Sequence, residues 1–231
     1  MIEKPMDVLQ LFSIRRNKKQ KEAFRAAVQS YLDKLGYSVA MEETSFGGIN
    51  MVIGDSKIAK YLVTAHYERS AVVTLLSIAE SLPVIHREKV CFVLFDLEEY
   101  GLIGSASYRK THKEETEKNL LLNLDCVGDG DHIVFFPTKK LKKDRRKLNP
   151  LYTCCGQFGN KFVTIRDKGF ANYPSDQNKF PYGVGIAALR KGKLGLQLSR
   201  IHTKKDTILD QTNVNILRAA LTTFICCDEV N

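Results

Sequence analysis

Apolar residues along the chain follow two kinds of pattern, and the two alternate. Short apolar runs at residues 61–65, 90–95 and 120–124 are typical of strands buried on both faces of a sheet. Between and around these runs, spacing and end signals predict helices over residues 17–35, 71–82, 105–110 and 214–226. Strands that alternate with helices predict an α/β protein, a three-layer α/β/α sandwich with a mainly parallel central sheet.

Local signals refine the ends of these elements. Gly36 is predicted to end the first helix, Ser70 to cap the start of the second, and Pro83 follows that helix. The remaining predicted strands are shorter or weaker, at residues 37–40, 50–54, 132–136, 162–165 and 186–189. Since no repeat or linker divides the chain, we expect a single domain over residues 1–231.

Composition changes this picture little. The chain is 44% hydrophobic and 26% charged, as is usual for a globular protein, and no apolar run approaches the roughly 18 residues of a membrane helix. The amino terminus lacks the pattern of a signal peptide, so we expect a cytoplasmic protein without membrane attachment. Four of the six cysteines form adjacent pairs and none has C-x-x-C spacing, so free thiols are expected.

The net charge of +9 raises the question of a nucleic-acid partner. Much of this charge lies in residues 139–147 and 15–21. These segments lack the interleaved aromatic residues, zinc finger or RNA-binding signature that would accompany such a function. Solvated helix and loop surfaces are therefore the favoured interpretation, and nucleic acid is not expected as a partner.

Candidate chemistry is concentrated where the three buried strands end. His66 and Asp125 follow two of these strands, the acids Asp96, Glu98 and Glu99 follow the third, and His202 lies in a polar loop before the last helix. Parallel strands place these ends at one edge of the sheet, where imidazole and carboxylate groups suit Zn²⁺ or another divalent ion. The alternative interpretation is a structural histidine and a solvated helix start that favours acids.

Five ordered segments carry a resemblance to a known family. They are AHYE (65–68), VLFDLEEYGLIGS (93–105), NLDCVGDGD (123–131), SDQNKF (175–180) and RIHTKKDT (200–207). As a set they resemble the motifs of co-catalytic zinc exopeptidases, which include bacterial leucyl-aminopeptidases and have glutaminyl cyclases and transferrin-receptor-like domains as relatives. The similarity extends from about residue 17 to the carboxyl end, and it implies a zinc-exopeptidase-like fold.

The resemblance also implies roles for individual residues. His66 and Asp125 would bind one zinc ion, and Glu99 and His202 would bind the other. Glu98 would be the general base, which takes a proton from the attacking water and passes it to the leaving amine. Three further acids would support the ligands or line the substrate pocket: Glu68, Asp176 and Asp206.

One departure from the family pattern concerns the metals directly. The family bridges its two ions with an Asp from a Gly/Ala-Asn-Asp-Asn segment, but here Glu68 leads through Arg69 and Ser70 directly into the predicted helix. Each ion would then keep two protein ligands. Four explanations stay open: Glu68 replaces the bridge, the site holds one ion, a neighbouring subunit supplies a carboxylate, or a longer parental sequence was truncated.

These observations favour a metal-dependent aminopeptidase-type hydrolase that removes N-terminal residues from peptides, with Zn²⁺ as its cofactor and a peptide as its substrate. The alternative is a catalytically inactive binding module that keeps the exopeptidase fold. The absent loop supports the inactive module, whereas the intact Glu98, Glu99, Asp125 and His202 oppose it. Association into a homo-oligomer stays open.

Overall fold

The computed structural model describes residues 2–12, 17–159, 161–164, 173–192, 195–197 and 209–227. Its helices are α1 (Leu9–Phe12), α2 (Lys18–Lys34), α3 (Arg69–Ser81), α4 (Ile103–Thr111), α5 (Lys113–Thr116), α6 (Lys139–Lys143), α7 (Arg145–Gly156) and α8 (Gln211–Cys226). Its strands are β1 (Val39–Glu43), β2 (Ile49–Ile53), β3 (Tyr61–His66), β4 (Val90–Phe95), β5 (Leu120–Leu124), β6 (His132–Pro137), β7 (Phe162–Thr164), β8 (Gly183–Gly192) and β9 (Gly195–Gln197).

The strands form one mixed sheet in the order β1-β2-β4-β3-β5-β8-β6-β7, with β9 paired to β8. The central pairs β4–β3, β3–β5 and β5–β8 are parallel. Strand β2 joins β4, and β6 joins β8, in antiparallel fashion. The sheet is therefore parallel in the middle and mixed toward its edges, which confirms the predicted α/β architecture.

Both faces of the sheet are covered, which explains the continuous apolar runs of the central strands. On β3, Val63 and Ala65 pack into a large core with α2, α3, α7 and α8, whereas Leu62 belongs to the opposite core. That second core contains Tyr108 of α4 and Phe180, which follows a 3₁₀ turn. A strand covered on both sides has no polar face, so alternation is lost from its sequence.

The first long helix begins and ends as its sequence predicts. Asn17 caps α2 by accepting a hydrogen bond from the Gln20 amide at 2.9 Å, and the Gln20 side-chain oxygen accepts one from the Asn17 backbone amide at 3.2 Å. Gly36 then takes a left-handed backbone (φ +81°), which glycine adopts without steric cost.

The start of α3 differs from the prediction. Ser70 is not the N-cap, because the helix begins at Arg69 and Glu68 caps it. The Glu68 carboxylate accepts hydrogen bonds from the amides of Ser70 at 2.9 Å and Ala71 at 2.8 Å. Glu68, two positions before the predicted cap, offers two acceptor oxygens to the free amides of the first turn, so the serine is not needed as the cap.

Several other element boundaries in the structure differ from the predicted ones. Strands β1 and β2 pair from Val39↔Ile53 to Glu43↔Ile49, so β1 lies later than predicted, and β8 is longer than residues 186–189. Helix α7 was not predicted, because Pro150 interrupts its pattern and it buries few residues: Leu148, Leu151 and Cys155.

All six cysteines are free, as expected. Among the described residues, the helices are too short or too polar to cross a bilayer.

Candidate active site

The ends of three central strands meet at one edge of the sheet. His66 is the last residue of β3 and pairs in register with Phe95, the last residue of β4. Ala65 pairs with Leu124, so Asp125 follows β5 at the same level. The parallel register predicted from the apolar runs therefore brings residues far apart in sequence to a common edge.

Three side chains converge there: His66, Asp125 and Glu98. One ligand atom of each lies within 4.8 Å of the others; His66 and Asp125 are buried and Glu98 is half-buried. The Nδ1 atom of His66 lies 4.0 Å from Oδ1 of Asp125, which is too far for a hydrogen bond. That nitrogen has no hydrogen-bond partner among the described residues.

Asp176 adds a fully buried carboxylate near this cluster. It begins the 3₁₀ turn Asp176–Lys179, which packs against α4, β5 and β8. Neither of its carboxylate oxygens has a hydrogen-bond partner in the part of the chain that the structure describes. The Ser105 hydroxyl lowers the pKa of this carboxyl against the larger effect of burial, so Asp176 adds a buried acid to this edge of the sheet.

The pKa directions report the same crowding of negative charge. The pKa of Glu98 is raised to about 7, mainly by burial and also by the carboxylates of Asp176, Asp125 and Glu99, whereas His66 opposes the shift. Burial also raises the pKa of Asp176 to about 6. For His66, burial alone would lower the pKa, but the surrounding carboxylates outweigh it and the pKa is raised. Such an electronegative pocket favours a cation.

The donor set fits a zinc ion. One imidazole nitrogen and two carboxylates are ordinary zinc ligands, and thiolates are not required for a catalytic site. The donors face one another without hydrogen bonds between them, and a shared cation would satisfy them together. His66 and Asp125 therefore have the chemistry and the proximity to hold the cofactor, and the Glu98 carboxylate lies beside them.

Backbone strain is concentrated around the same edge. In the described part of the chain, four residues other than glycine have positive φ: Phe46 (63°), Leu97 (58°), Leu102 (62°) and Cys126 (53°). Leu97 and Leu102 lie in the turn after β4, and Cys126 follows Asp125. Phe46 lies in the turn before β2, whose Ile49 amide donates a hydrogen bond to Asp96 at 3.1 Å. Strained non-glycine residues of this kind cluster at functional sites.

Asp96 is not part of the cluster, although it is one of the three acids after β4. Its Oδ1 atom lies 2.5 Å from the Lys21 ammonium, and its Oδ2 atom lies 3.9 Å from the Arg25 guanidinium. Oδ1 also accepts a hydrogen bond from the Leu97 amide at 2.9 Å. Two cationic side chains of helix α2 therefore balance the charge of Asp96, a pairing that the sequence patterns do not predict.

The other predicted site residues are placed as follows. Glu99 is exposed and is outside the three-residue cluster, so its role as a ligand stays a prediction. Both carboxylate oxygens of Glu68 are used by the first turn of α3. His202 and Asp206 lie outside the described residues. The βα connection after His66 is only Tyr67 and Glu68, so the chain has no room there for the family's bridging segment.

Comparison with known proteins gives a family from the sequence and similar folds among solved structures. The model of peptidase family M28 matches residues 55–225. No curated protein sequence matches the chain. Among solved structures, a glutaminyl cyclase of Porphyromonas gingivalis has a TM-score of 0.76 at 16% identity, covering 97% of each chain.

Two further structures share the fold at similar identity. The LapA aminopeptidase of Legionella pneumophila has a TM-score of 0.73 at 16% identity, covering 99% of this chain and 70% of its own. A putative zinc-dependent exopeptidase of Bacteroides vulgatus has a TM-score of 0.68 at 16% identity, covering 96% of this chain and 94% of its own. Because the family model matches most of the sequence, the chain belongs to peptidase family M28.

Proposed function

We propose that the protein is a metal-dependent aminopeptidase-type hydrolase that removes N-terminal residues from peptides. The observation that carries this proposal is the convergence of His66, Asp125 and Glu98 at one sheet edge, with their ligand atoms within 4.8 Å and a fully buried carboxylate, Asp176, beside them. Membership of a peptidase family supports the hydrolytic reaction class.

His66 and Asp125 are the residues proposed to hold zinc. A bound zinc ion supplies a Lewis acid that polarises the scissile carbonyl and activates water. The two ligands are buried at the ends of adjacent strands, so the sheet holds their positions without a mobile loop. Asp176 adds negative charge, which favours the cation and the free α-amino group of a substrate.

Glu98 is the proposed general base. Burial and the neighbouring carboxylates raise its pKa in the cation-free site, and a bound cation would lower it, so that the ionised carboxylate can accept a proton near neutral pH. It takes a proton from the attacking water and passes it to the leaving amine. The left-handed turn at Leu97 and the 3₁₀ turn over Glu98–Tyr100 direct this carboxylate toward His66 and Asp125.

The site is proposed to hold one zinc ion. The family's bridging Asp has no counterpart in the two-residue connection between β3 and α3, and Glu68 is engaged as a helix cap. Among the described residues, one set of three donors converges. A catalytic zinc ion ordinarily has three protein ligands and an open position, so a single ion held by His66 and Asp125 takes one further donor.

Glu98→Gln tests the mechanism. The amide cannot accept the proton, so we expect turnover of aminoacyl-p-nitroanilides to fall by roughly a hundredfold or more, whereas zinc binding measured by calorimetry persists. Glu88→Gln, which removes an exposed carboxylate elsewhere, is the control and should leave turnover unchanged. An unchanged rate in Glu98→Gln would refute the assigned role.

The same assay separates the alternatives. Zinc binding without turnover of any aminoacyl substrate would indicate the catalytically inactive binding module. Since some structural neighbours are glutaminyl cyclases, a peptide with an N-terminal glutamine is included. Hydrolysis of this peptide supports the proposal, whereas its cyclisation without hydrolysis would contradict it.

A further inference from the structure

A second charged pocket lies at the other edge of the sheet. Tyr182 directly precedes β8, and its carbonyl accepts a hydrogen bond from the Leu121 amide at the start of β5 at 2.9 Å. From Leu121, strand β5 leads to Asp125 at the opposite edge, a span of four residue steps or roughly 13 Å at the usual rise per residue. The pocket beside Tyr182 is therefore separate from the candidate active site.

Six residues line this pocket, which has a volume of about 450 Å³. Four of them are cationic, one is acidic and one is aromatic: Lys140, Lys143, Arg145, Arg146, Asp144 and Tyr182. The cations come from two short neighbouring helices, α6 and α7, which Asp144 joins. This arrangement gathers positive charge on a concave surface rather than spreading it along one exposed helix.

The positive charge is only partly balanced. Lys140 pairs with Glu117 at 3.3 Å, and Arg146 lies 3.9 Å from Asp144. Lys143 and Arg145 form no ion pair with any residue that the structure describes. Both side chains are exposed, so they are available to a ligand. Two unpaired cations next to two paired ones leave the pocket strongly electropositive.

The ring of Tyr182 contacts two ammonium groups beside the pocket. The ammonium groups of Lys140 and Lys147 each lie 4.6 Å from the centre of its ring. Burial lowers the pKa of Lys147, and the ammonium groups of Lys60 and Lys140 lower it further, against an opposing effect of Asp144. The cations therefore destabilise one another, and a bound anion would relieve this repulsion.

We propose that this pocket binds a small multivalent anion bearing phosphoryl groups. Arginine and lysine are the side chains that bind phosphate oxygens, the arginines through paired donors. The volume is suited to a small ligand. A nucleic-acid strand is less favoured, because Tyr182 is packed against the core and already contacts two ammonium groups, so its ring is not a stacking surface for bases.

Calorimetry at low ionic strength tests this proposal. The full chain is titrated with inorganic pyrophosphate and, separately, with inorganic phosphate. We expect saturable binding, tighter for pyrophosphate because it carries more charge. The double variant Lys143→Gln/Arg145→Gln should weaken it by roughly tenfold or more. Both residues are exposed, so the fold should persist, which circular dichroism checks.

Two controls isolate the pocket. Lys18→Gln/Lys19→Gln removes the same charge from the exposed start of α2. It should change the affinity by less than roughly twofold, because salt screens the interaction between distant exposed charges. His66→Asn, at the opposite edge, should retain pyrophosphate binding, which excludes an anion held by a metal in the active site.

Three results would overturn the proposal: no binding at low salt, equal weakening by the α2 control, or loss of binding in His66→Asn. A single-stranded RNA oligomer that binds more tightly than pyrophosphate, and is weakened by the pocket variant with a steep salt dependence, would instead indicate a nucleic-acid surface.

Discussion

At the scale of single residues, the acids after β4 divide between two tasks. Glu98 points into the cluster with His66 and Asp125, whereas Asp96, two positions earlier, points to Lys21 and Arg25 on α2. The left-handed backbone of Leu97 lies between them and turns the chain so that the two carboxylates diverge. One carboxylate is thus left for chemistry and the other holds a helix to the sheet.

Asp96→Asn tests the structural task. The substitution removes the ion pairs that Asp96 makes with Lys21 and Arg25 and leaves these cations without a facing negative charge. We therefore expect the free energy of unfolding to fall by about 2–3 kcal/mol. Urea denaturation measures it. Lys21→Met should cost about 1 kcal/mol or less, because Arg25 and two backbone amides still face the carboxylate. Equal losses in the two variants would contradict this assignment.

At the scale of elements, the connection from β3 to α3 determines what the site contains. Two residues, Tyr67 and Glu68, join the strand to the helix, and Glu68 satisfies the amides of Ser70 and Ala71. A connection this short is ordinary in α/β proteins. It keeps the helix and the sheet in place but leaves no segment for the bridging Asp that the family resemblance implies.

Glu68→Ala distinguishes a helix cap from a metal ligand. As a cap, its loss should lower the free energy of unfolding by about 1 kcal/mol, similar to Asn17→Ala at the start of α2. Zinc affinity, measured by calorimetry, should change little, since both carboxylate oxygens are engaged by the backbone. A tenfold or larger loss of zinc affinity in Glu68→Ala alone would show that Glu68 contacts the ion instead.

At the scale of the whole molecule, the proposed zinc site implies a coupling between metal binding and folding. His66 and Asp125 end two adjacent strands of the core, so the donors are brought together only when the sheet forms. An ion that binds this arrangement and not the unfolded chain stabilises the fold by mass action. Zinc should therefore act on global stability as well as on turnover.

Thermal unfolding with and without zinc measures this coupling. At a free zinc concentration one hundred times the dissociation constant, we expect about 2.7 kcal/mol of stabilisation, a rise of roughly 5–10 °C in Tm. His66→Asn should abolish the rise, whereas His86→Asn, in the turn before β4, should retain it. Elemental analysis should give one zinc per chain; two ions per chain would contradict the one-ion site.

The sequence alone determined the alternation of strands and helices, the three central strands and the residues that end them, because burial on both faces leaves an uninterrupted apolar run. The family resemblance had the same basis in local motifs. Both depend on residues close together along the chain, and both are confirmed by the structure or by the family match.

Only the tertiary structure decided which side chains meet. The pairing of Asp96 with Lys21 joins positions 75 residues apart, and no local pattern encodes it. No local pattern encodes the different positions of Glu98, which faces His66, and Glu99, which is exposed. The geometry of the turn, and not the residue type, directs these neighbouring carboxylates apart. Local sequence determines elements through burial and capping, whereas the site arises from the packing of distant elements against one another.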